Sequence, residues 1–266
     1  YNKIMTLSFF FKKRKKNSLG LALGGGAAKG FAHIGAIKAF EEHNIKFDYV
    51  AGTSAGAIVG AMYCAGANSQ DLVNIAHEID PRSIRRVLSL PPIDTSRLEN
   101  ILKKYLGDIT FQDLKTPFIA VAVDLKEGAQ VLLQNGVVAK AVSASCAIPF
   151  FFRPVIIDNM HLVDGGLLNT IPSDVAKVMG ADKVIAVDVN SARGQGADSL
   201  RILDVIGATI RIMGSVNAVI GKRFADVLIE PGLKNFKATS KEGYEDMIDL
   251  GYKAAKKSIN DILRFL

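Results

Sequence analysis

The 266-residue chain has no uninterrupted apolar run of roughly 18 to 20 residues, the length that a membrane-spanning helix needs. It has only two cysteines, Cys64 and Cys146. Both sit among small apolar neighbours without metal-ligand spacing, so buried free thiols are expected, consistent with a reducing compartment. Histidine is scarce as well: His33, His43, His77 and His161 are the only ones, which limits the choice of a general base. No internal repeat or low-complexity tract is present. With 49% hydrophobic and 22% charged residues, the composition excludes disordered and fibrous classes and leaves a globular chain with a sizeable core.

Acid is missing from one end. Residues 1–18 carry six Lys and Arg and no Asp or Glu, so nearly all of the net charge of +7 lies there. The remaining body is almost neutral, which argues against a nucleic-acid-binding face. The tail reads MTLSFFFKKRKKNS. Its short apolar run precedes the charge, the reverse of a secretory signal. A solvated terminus and an aromatic-plus-polybasic contact with anionic lipid are the two readings it allows.

What is present is an alternation. LGLAL (19–23) reads as a buried strand and GFAHIGAIKAFEEH as a helix with apolar residues at Phe31, Ile34, Ile37 and Phe40. FDYVAG (47–52) reads as a second strand, followed by a helix ending at Gly66. Strand–turn–helix repeated in this way predicts an α/β domain over residues 19–266 with helix-covered parallel strands. Residues 69–106 interrupt it with three helical segments, SQDLVNIAHEI, PRSIRRVLSL and TSRLENILKKYLG. The last has Ser96 and Glu99 at capping-box spacing. This insertion is expected to cap a cleft, and Arg82, Arg85 and Arg86 are its candidate lipid-phosphate contacts. Strands at TPFIAVAVDL, AQVLLQNG, FFRPVII, HLVDGG, DKVIAVDV and DVLIEP follow. Helices are expected near VVAKAVSASCA, at SDVAKVMG, over 201–220 and from about Ser240.

Two turns carry chemistry. GGGAAKG (Gly24–Gly30) joins the first strand to its helix, where backbone N–H groups collect negative charge. It fails the G-x-G-x-x-G dinucleotide pattern in both frames, and Phe31 stands where a phosphate loop needs Lys-Ser/Thr. Oxyanion binding remains, since glycines let a substrate approach the N–H groups closely. At the next junction, Gly52-Thr53-Ser54-Ala55-Gly56 places a serine on a strand-to-helix turn, the setting of a nucleophile elbow. A helix cap by Thr53 or Ser54 is the plainer alternative.

The base is open at this level. His161 with Asp124 fits the chain order Ser–acid–His. Asp164, ending a strand before Gly165 and Gly166, is the other candidate if burial raises its pKa.

Together LALGGGAAKGFAHIGAIKAFEE, VAGTSAGAIVGAMYCAG, SASCAIPFFFRPV (with Ser145 and Pro149) and VDGGLLNTIP resemble the blocks of the patatin-like phospholipase family, from about Leu19 to Val189. The resemblance implies a three-layer α/β/α sandwich with a mostly parallel central sheet. It also implies lipid-ester hydrolysis through an acyl-enzyme. Ser54 is then the nucleophile and Asp164 the base, and the N–H groups of Gly24, Gly25 and Gly26 form the oxyanion hole. Lys29, Gly52, Gly56, Gly165 and Gly166 support the site, and no metal or cofactor is required. Lys29 stands where the family usually has Arg, and Ala27 where a fourth glycine is common. A lipid or phospholipid ester is the expected substrate, with a cytoplasmic location and peripheral contact with anionic membrane. A transacylase sharing the nucleophile and a non-catalytic lipid-binding relict are the alternatives.

Overall fold

A computed structural model describes residues 16–78, 94–191, 202–237, 240 and 242–266. The basic tail up to residue 15, the expected helix PRSIRRVLSL and its three arginines lie outside the described residues.

The strands are β1 (Leu19–Leu23), β2 (Tyr49–Thr53), β3 (Phe118–Asp124), β4 (Ala129–Leu133), β5 (Val155–Ile157), β6 (Met160–Asp164), β7 (Lys183–Val187) and β8 (Val227–Ile229). Helices α1 (Phe31–Glu42), α2 (Ala55–Ala65), α3 (Ser69–Glu78) and α4 (Ser96–Leu106) belong to the first half of the chain. α5 (Val138–Ser145), α6 (Ser173–Met179), α7 (Ile202–Phe224) and α8 (Tyr244–Leu263) complete the described set.

The strands form one mixed sheet in the order β5-β6-β3-β2-β1-β7-β8, with β4 also on β3. From β3 to β8 every pairing is parallel, whereas the pairings of β4 and β6 with β3 and of β5 with β6 are antiparallel. The antiparallel end follows from short connections. Asp158 and Asn159, both with positive φ (47° and 65°), make the tight turn between β5 and β6.

Strand residues alternate between two cores because successive side chains point to opposite faces. Leu21, Leu23, Val50, Ala120 and Ile185 face one core, which is shared with α1, α2, α5 and α8. Ala22, Ala51, Val121 and Ala186 face the other, covered by α6 and Ala218 of α7. That makes three layers, α/β/α. The second core is lined largely with alanine, so its helices sit close to the sheet.

Local departures from the sequence reading have physical causes. Ser96 and Glu99 form no capping box: the Ser96 N–H donates to Asp94 Oδ1 at 2.8 Å, and Glu99 pairs with Lys103. A capping box forms instead at Thr110 and Asp113. The last helix begins at Tyr244 rather than Ser240, after Gly243 in a left-handed conformation. Within FFRPVII only Val155–Ile157 pairs as a strand.

Candidate active site

One edge of β3 is shared by two strands. β2 pairs in parallel with Phe118 to Val121, and β6 antiparallel with Ala122 to Asp124. Because β4 pairs with residues 120–124, it overlaps both and must occupy the opposite edge. The C-terminal ends of β2 and β6 therefore meet head to head, and they deliver Ser54 and Asp164 to the same point.

Ser54 adopts φ 53° and ψ −122°, a strained conformation for a residue with a side chain, costing about 1 to 3 kcal/mol. Surrounding bonds hold it there. Its N–H donates to Ser145 Oγ at 3.0 Å, and Ser145 in turn donates to Val121 O at 2.6 Å. The preceding Thr53 hydroxyl donates to Asn169 O at 2.9 Å. The sharp turn brings β2 against α2, so a Cβ on Gly52 would lie 2.6 Å from Gly56 O. One on Gly56 would lie 2.0 Å from Leu23 O. Neither position has room for alanine.

Asp164 is buried at the start of a short 3-10 turn, where Gly166 N–H donates to its Oδ1 at 2.8 Å. Burial raises the Asp164 pKa from 3.8 to about 6, with the neighbouring Ser54 hydroxyl and the Gly166 N–H bond pulling it back. The Cys146 thiol is buried nearby, and burial, then the Asp164 charge, pushes its pKa up.

The glycine turn stands beside the serine. A Cβ on Gly25 would lie 3.5 Å from the Ser54 Cβ. Gly24 N–H donates to Val187 O at 3.0 Å and Gly25 N–H to Thr170 O at 2.9 Å, so both are spent on structure. Among the described residues the N–H groups of Gly26 and Ala27 have no protein acceptor. Ala27, in the place of the fourth glycine, takes φ 48°.

A pocket of about 180 Å³ opens between these turns. Its polar wall is Gly26, Ala27, Ser54 and Asp164, and its apolar wall includes Ile148, Phe151, Leu167 and Ile210. Among the described residues Arg211 is the one cationic side chain lining it. Lys29 is fully buried nearby, with no hydrogen-bond partner for Nζ among the described residues. Burial lowers its pKa, helped by Arg211 and opposed by Asp188.

The histidines take other places. Asp124 is tied to the main chain, accepting from His161 N–H and Lys126 N–H at 3.1 Å each, rather than from an imidazole. Strand alternation turns His161 to the face of β6 opposite Asp164, and it does not line the pocket. His33 is buried under the glycine turn with Nε2 2.8 Å from Gly24 O. Burial lowers its pKa to about 4, so it is a neutral packing residue. His43 caps Ala39 O, and His77 meets the Tyr244 hydroxyl.

Two contributions escaped the sequence reading. Ser145 appears there only as a motif position, and nothing in its spacing shows that its hydroxyl supports the serine turn. Asn169 and Thr170, through main-chain carbonyls, tie the serine and glycine turns together. A carbonyl leaves no trace in side-chain identity. Among the described residues no cluster of three or more potential metal ligands occurs.

Comparisons with known proteins bear on the family and the fold. A family model described as patatin-like phospholipase matches residues 21–177. An uncharacterised NTE family protein of Mycobacterium tuberculosis is 37% identical over 177 residues, covering 65% of this chain and 49% of that protein. Human patatin-like phospholipase domain-containing protein 6 is 33% identical over 187 residues, covering 66% of this chain and 14% of the relative. This chain thus spans half or less of the curated relatives it matches. Among solved structures, VipD from Legionella pneumophila superposes with a TM-score of 0.56 at 13% identity, covering 93% of this chain and 68% of VipD. Human GIVD cytosolic phospholipase A2 gives 0.52 at 11% identity, covering 93% and 59%. At such identities the likeness is one of fold.

Proposed function

This chain belongs to the patatin-like phospholipase family, and from that premise we propose that it hydrolyses lipid esters with Ser54 as nucleophile and Asp164 as base. The observation that carries the proposal is that Ser54 and Asp164 line one pocket, the carboxylate buried with its pKa raised to about 6. Serine alone is a weak nucleophile, and a base works best with a pKa near the working pH.

In the proposed reaction Asp164 takes the Ser54 proton as Oγ attacks the ester carbonyl carbon. The carbonyl electron pair moves onto oxygen, and the Gly26 and Ala27 N–H groups receive this oxyanion. A donor of this kind contributes about 3 kcal/mol to the transition state. Collapse of the intermediate expels the alcohol or lysolipid, which takes its proton from Asp164. Water then attacks the acyl-enzyme, giving its proton to the same carboxylate, and Ser54 is regenerated with release of the fatty acid. The apolar wall accommodates an acyl chain. Phospholipids are the proposed substrates, by analogy with the family, and Arg211 provides a cation at the pocket for the head-group phosphate.

The test compares Ser54→Ala, Asp164→Asn and His161→Ala on a short-chain p-nitrophenyl ester and on mixed phospholipids. The first two are expected to lose at least about a thousandfold in kcat, and His161→Ala to retain wild-type rates. An active Asp164→Asn enzyme together with an inactive His161→Ala enzyme would overturn the dyad.

A further inference from the structure

The longest helix, α7, is packed with its large residues outward. Among its described side chains the buried positions are Ala208, Gly214, Ala218 and Gly221, all small. A Cβ on Gly221 would lie 2.0 Å from Ile171 O. The Thr170 hydroxyl donates to Gly214 O at 2.9 Å, and the Asn217 amide donates to Leu167 O. The helix is thus seated on the loop that follows Asp164 through backbone contacts and small side chains.

Its large apolar side chains face away. Ile212, Met213, Val216, Val219, Ile220 and Phe224 are each 44–64% exposed. At 100° per residue they fall within an arc of about 140°, opposite the glycines. A helix that only packs on a core has the reverse arrangement, large residues in and small or polar ones out. A contiguous exposed apolar stripe of this kind marks a contact surface.

Position and charge say what it contacts. The inner side of the same helix contributes Gly207, Ile210, Arg211 and Gly214 to the pocket that holds Ser54 and Asp164. The stretch from Ile212 to Gly221 carries no ionisable residue. Arg211 before it faces the pocket, and Lys222 after it pairs with Asp188 and Glu230, which leaves the exposed Arg223 as the cation at the end of the outward face. Phe150, between the pocket-lining Pro149 and Phe151, is 60% exposed. An uncharged apolar face that ends in a cation suits the plane of an anionic lipid layer, where apolar side chains sink below the head groups. Among the described residues no helix is long and apolar enough to cross a membrane, so the contact is one of lying on the layer.

We propose that the outward face of α7 seats this protein on an anionic lipid layer, placing the pocket mouth at the layer so that an acyl ester enters without crossing water. The proposal rests on the lipid-ester reading of the site for its purpose, but its surface is tested separately.

The experiment is co-sedimentation with mixed phosphatidylcholine–phosphatidylglycerol vesicles in low and high salt, for the wild type and an Ile212→Gln, Val216→Gln, Ile220→Gln triple variant. The wild type binds, and part of that binding survives high salt because apolar insertion is not screened. The triple variant loses about tenfold or more in vesicle affinity in both salts, while hydrolysis of a soluble p-nitrophenyl ester is unchanged. An environment-sensitive dye on Val216→Cys shifts to the blue with vesicles; Cys64 and Cys146 are buried and do not compete. This second readout does not depend on the triple variant folding.

The surface proposal is overturned by wild type that does not bind, by a triple variant that binds like wild type, or by a dye that does not shift. Binding that vanishes in high salt and ignores the triple substitution assigns the contact to the basic tail. Loss of a concentration-dependent dimer in the triple variant, with vesicle binding intact, assigns the face to a second copy. Ser54→Ala separates the two readings. It binds vesicles like wild type if α7 is the docking face, whereas a wild type that binds through α7 but cleaves no ester sinks the catalytic proposal alone.

Discussion

Thr53 and Asp164 lie opposite consecutive residues of β3, Val121 and Ala122, because β2 and β6 share one edge of that strand from opposite directions. This end-to-end meeting brings Ser54, the residue after Thr53, close to Asp164, 110 positions further along the chain. It also makes β3 the reference for the site, since Ser145 is anchored to the Val121 carbonyl at the same level.

Ser145→Ala removes the acceptor for the Ser54 N–H and the donor to Val121 O. Each buried group left without a partner costs about 1 to 3 kcal/mol. The expected result is a fall in melting temperature and a drop in kcat of about tenfold or more, with KM for a small ester nearly constant. Thermal melts and steady-state kinetics measure both. A variant with lowered stability but unchanged kcat would show that the elbow keeps its shape without Ser145.

Asp164 makes stability and activity depend on pH in opposite senses. The folded carboxyl keeps its proton to about pH 6, whereas an unperturbed one releases it near 3.8. The folded state therefore binds more protons in this window, and stability falls as pH rises through it, by about 3 kcal/mol at most. Activity is expected to rise over the same range, because the proposed base must be ionised, with an apparent pKa of about 6 in kcat/KM. Asp164→Asn should melt above wild type near pH 8 and converge with it near pH 4. Parallel melting curves at both pH values would contradict the assigned burial cost.

Gly56→Ala would place a methyl 2.0 Å from Leu23 O, a backbone atom that cannot swing aside. Displacement of α2 from β1 is expected, with loss of soluble protein or of more than about 3 kcal/mol of stability. Ala27→Gly is the converse. With φ 48° at Ala27, glycine relieves left-handed strain, partly offset by the greater entropy of its unfolded chain. Stability is expected to change by less than about 1 kcal/mol, with labelling of Ser54 by a fluorophosphonate retained. Chemical denaturation and probe labelling check the pair.

Lys29→Met replaces a buried amine that has no hydrogen-bond partner among the described residues by an apolar side chain of similar length. Equal or higher thermal stability is expected, because the desolvation of the charge disappears and packing is largely kept. A pronounced loss would mean that attraction to Asp188 outweighs the desolvation that lowers the lysine pKa.

The local elements were legible because local physics sets them. Apolar alternation in LGLAL, the Gly66 stop after α2 and the small residues around Ser54 each act within a few positions. So does the strand–turn–helix order that identified both functional turns. The Ser96–Glu99 spacing misled for the same kind of reason: Asp94 lay equally near and reached the Ser96 N–H first.

The sequence by itself determined an α/β chain with a glycine turn, a serine turn and an Asp-Gly-Gly segment, since each depends on backbone freedom encoded in residues next to one another. Only the tertiary structure decided how they combine. It turned Asp164 toward Ser54 and His161 away, because strand alternation fixes direction once the register on β3 is set. It spent the Gly24 and Gly25 N–H groups on Val187 and Thr170 and left Gly26 open, because hydrogen bonds to distant carbonyls depend on the folded path alone. And it faced the apolar side of α7 outward, because the glycines on its other side are what the loop after Asp164 has room for.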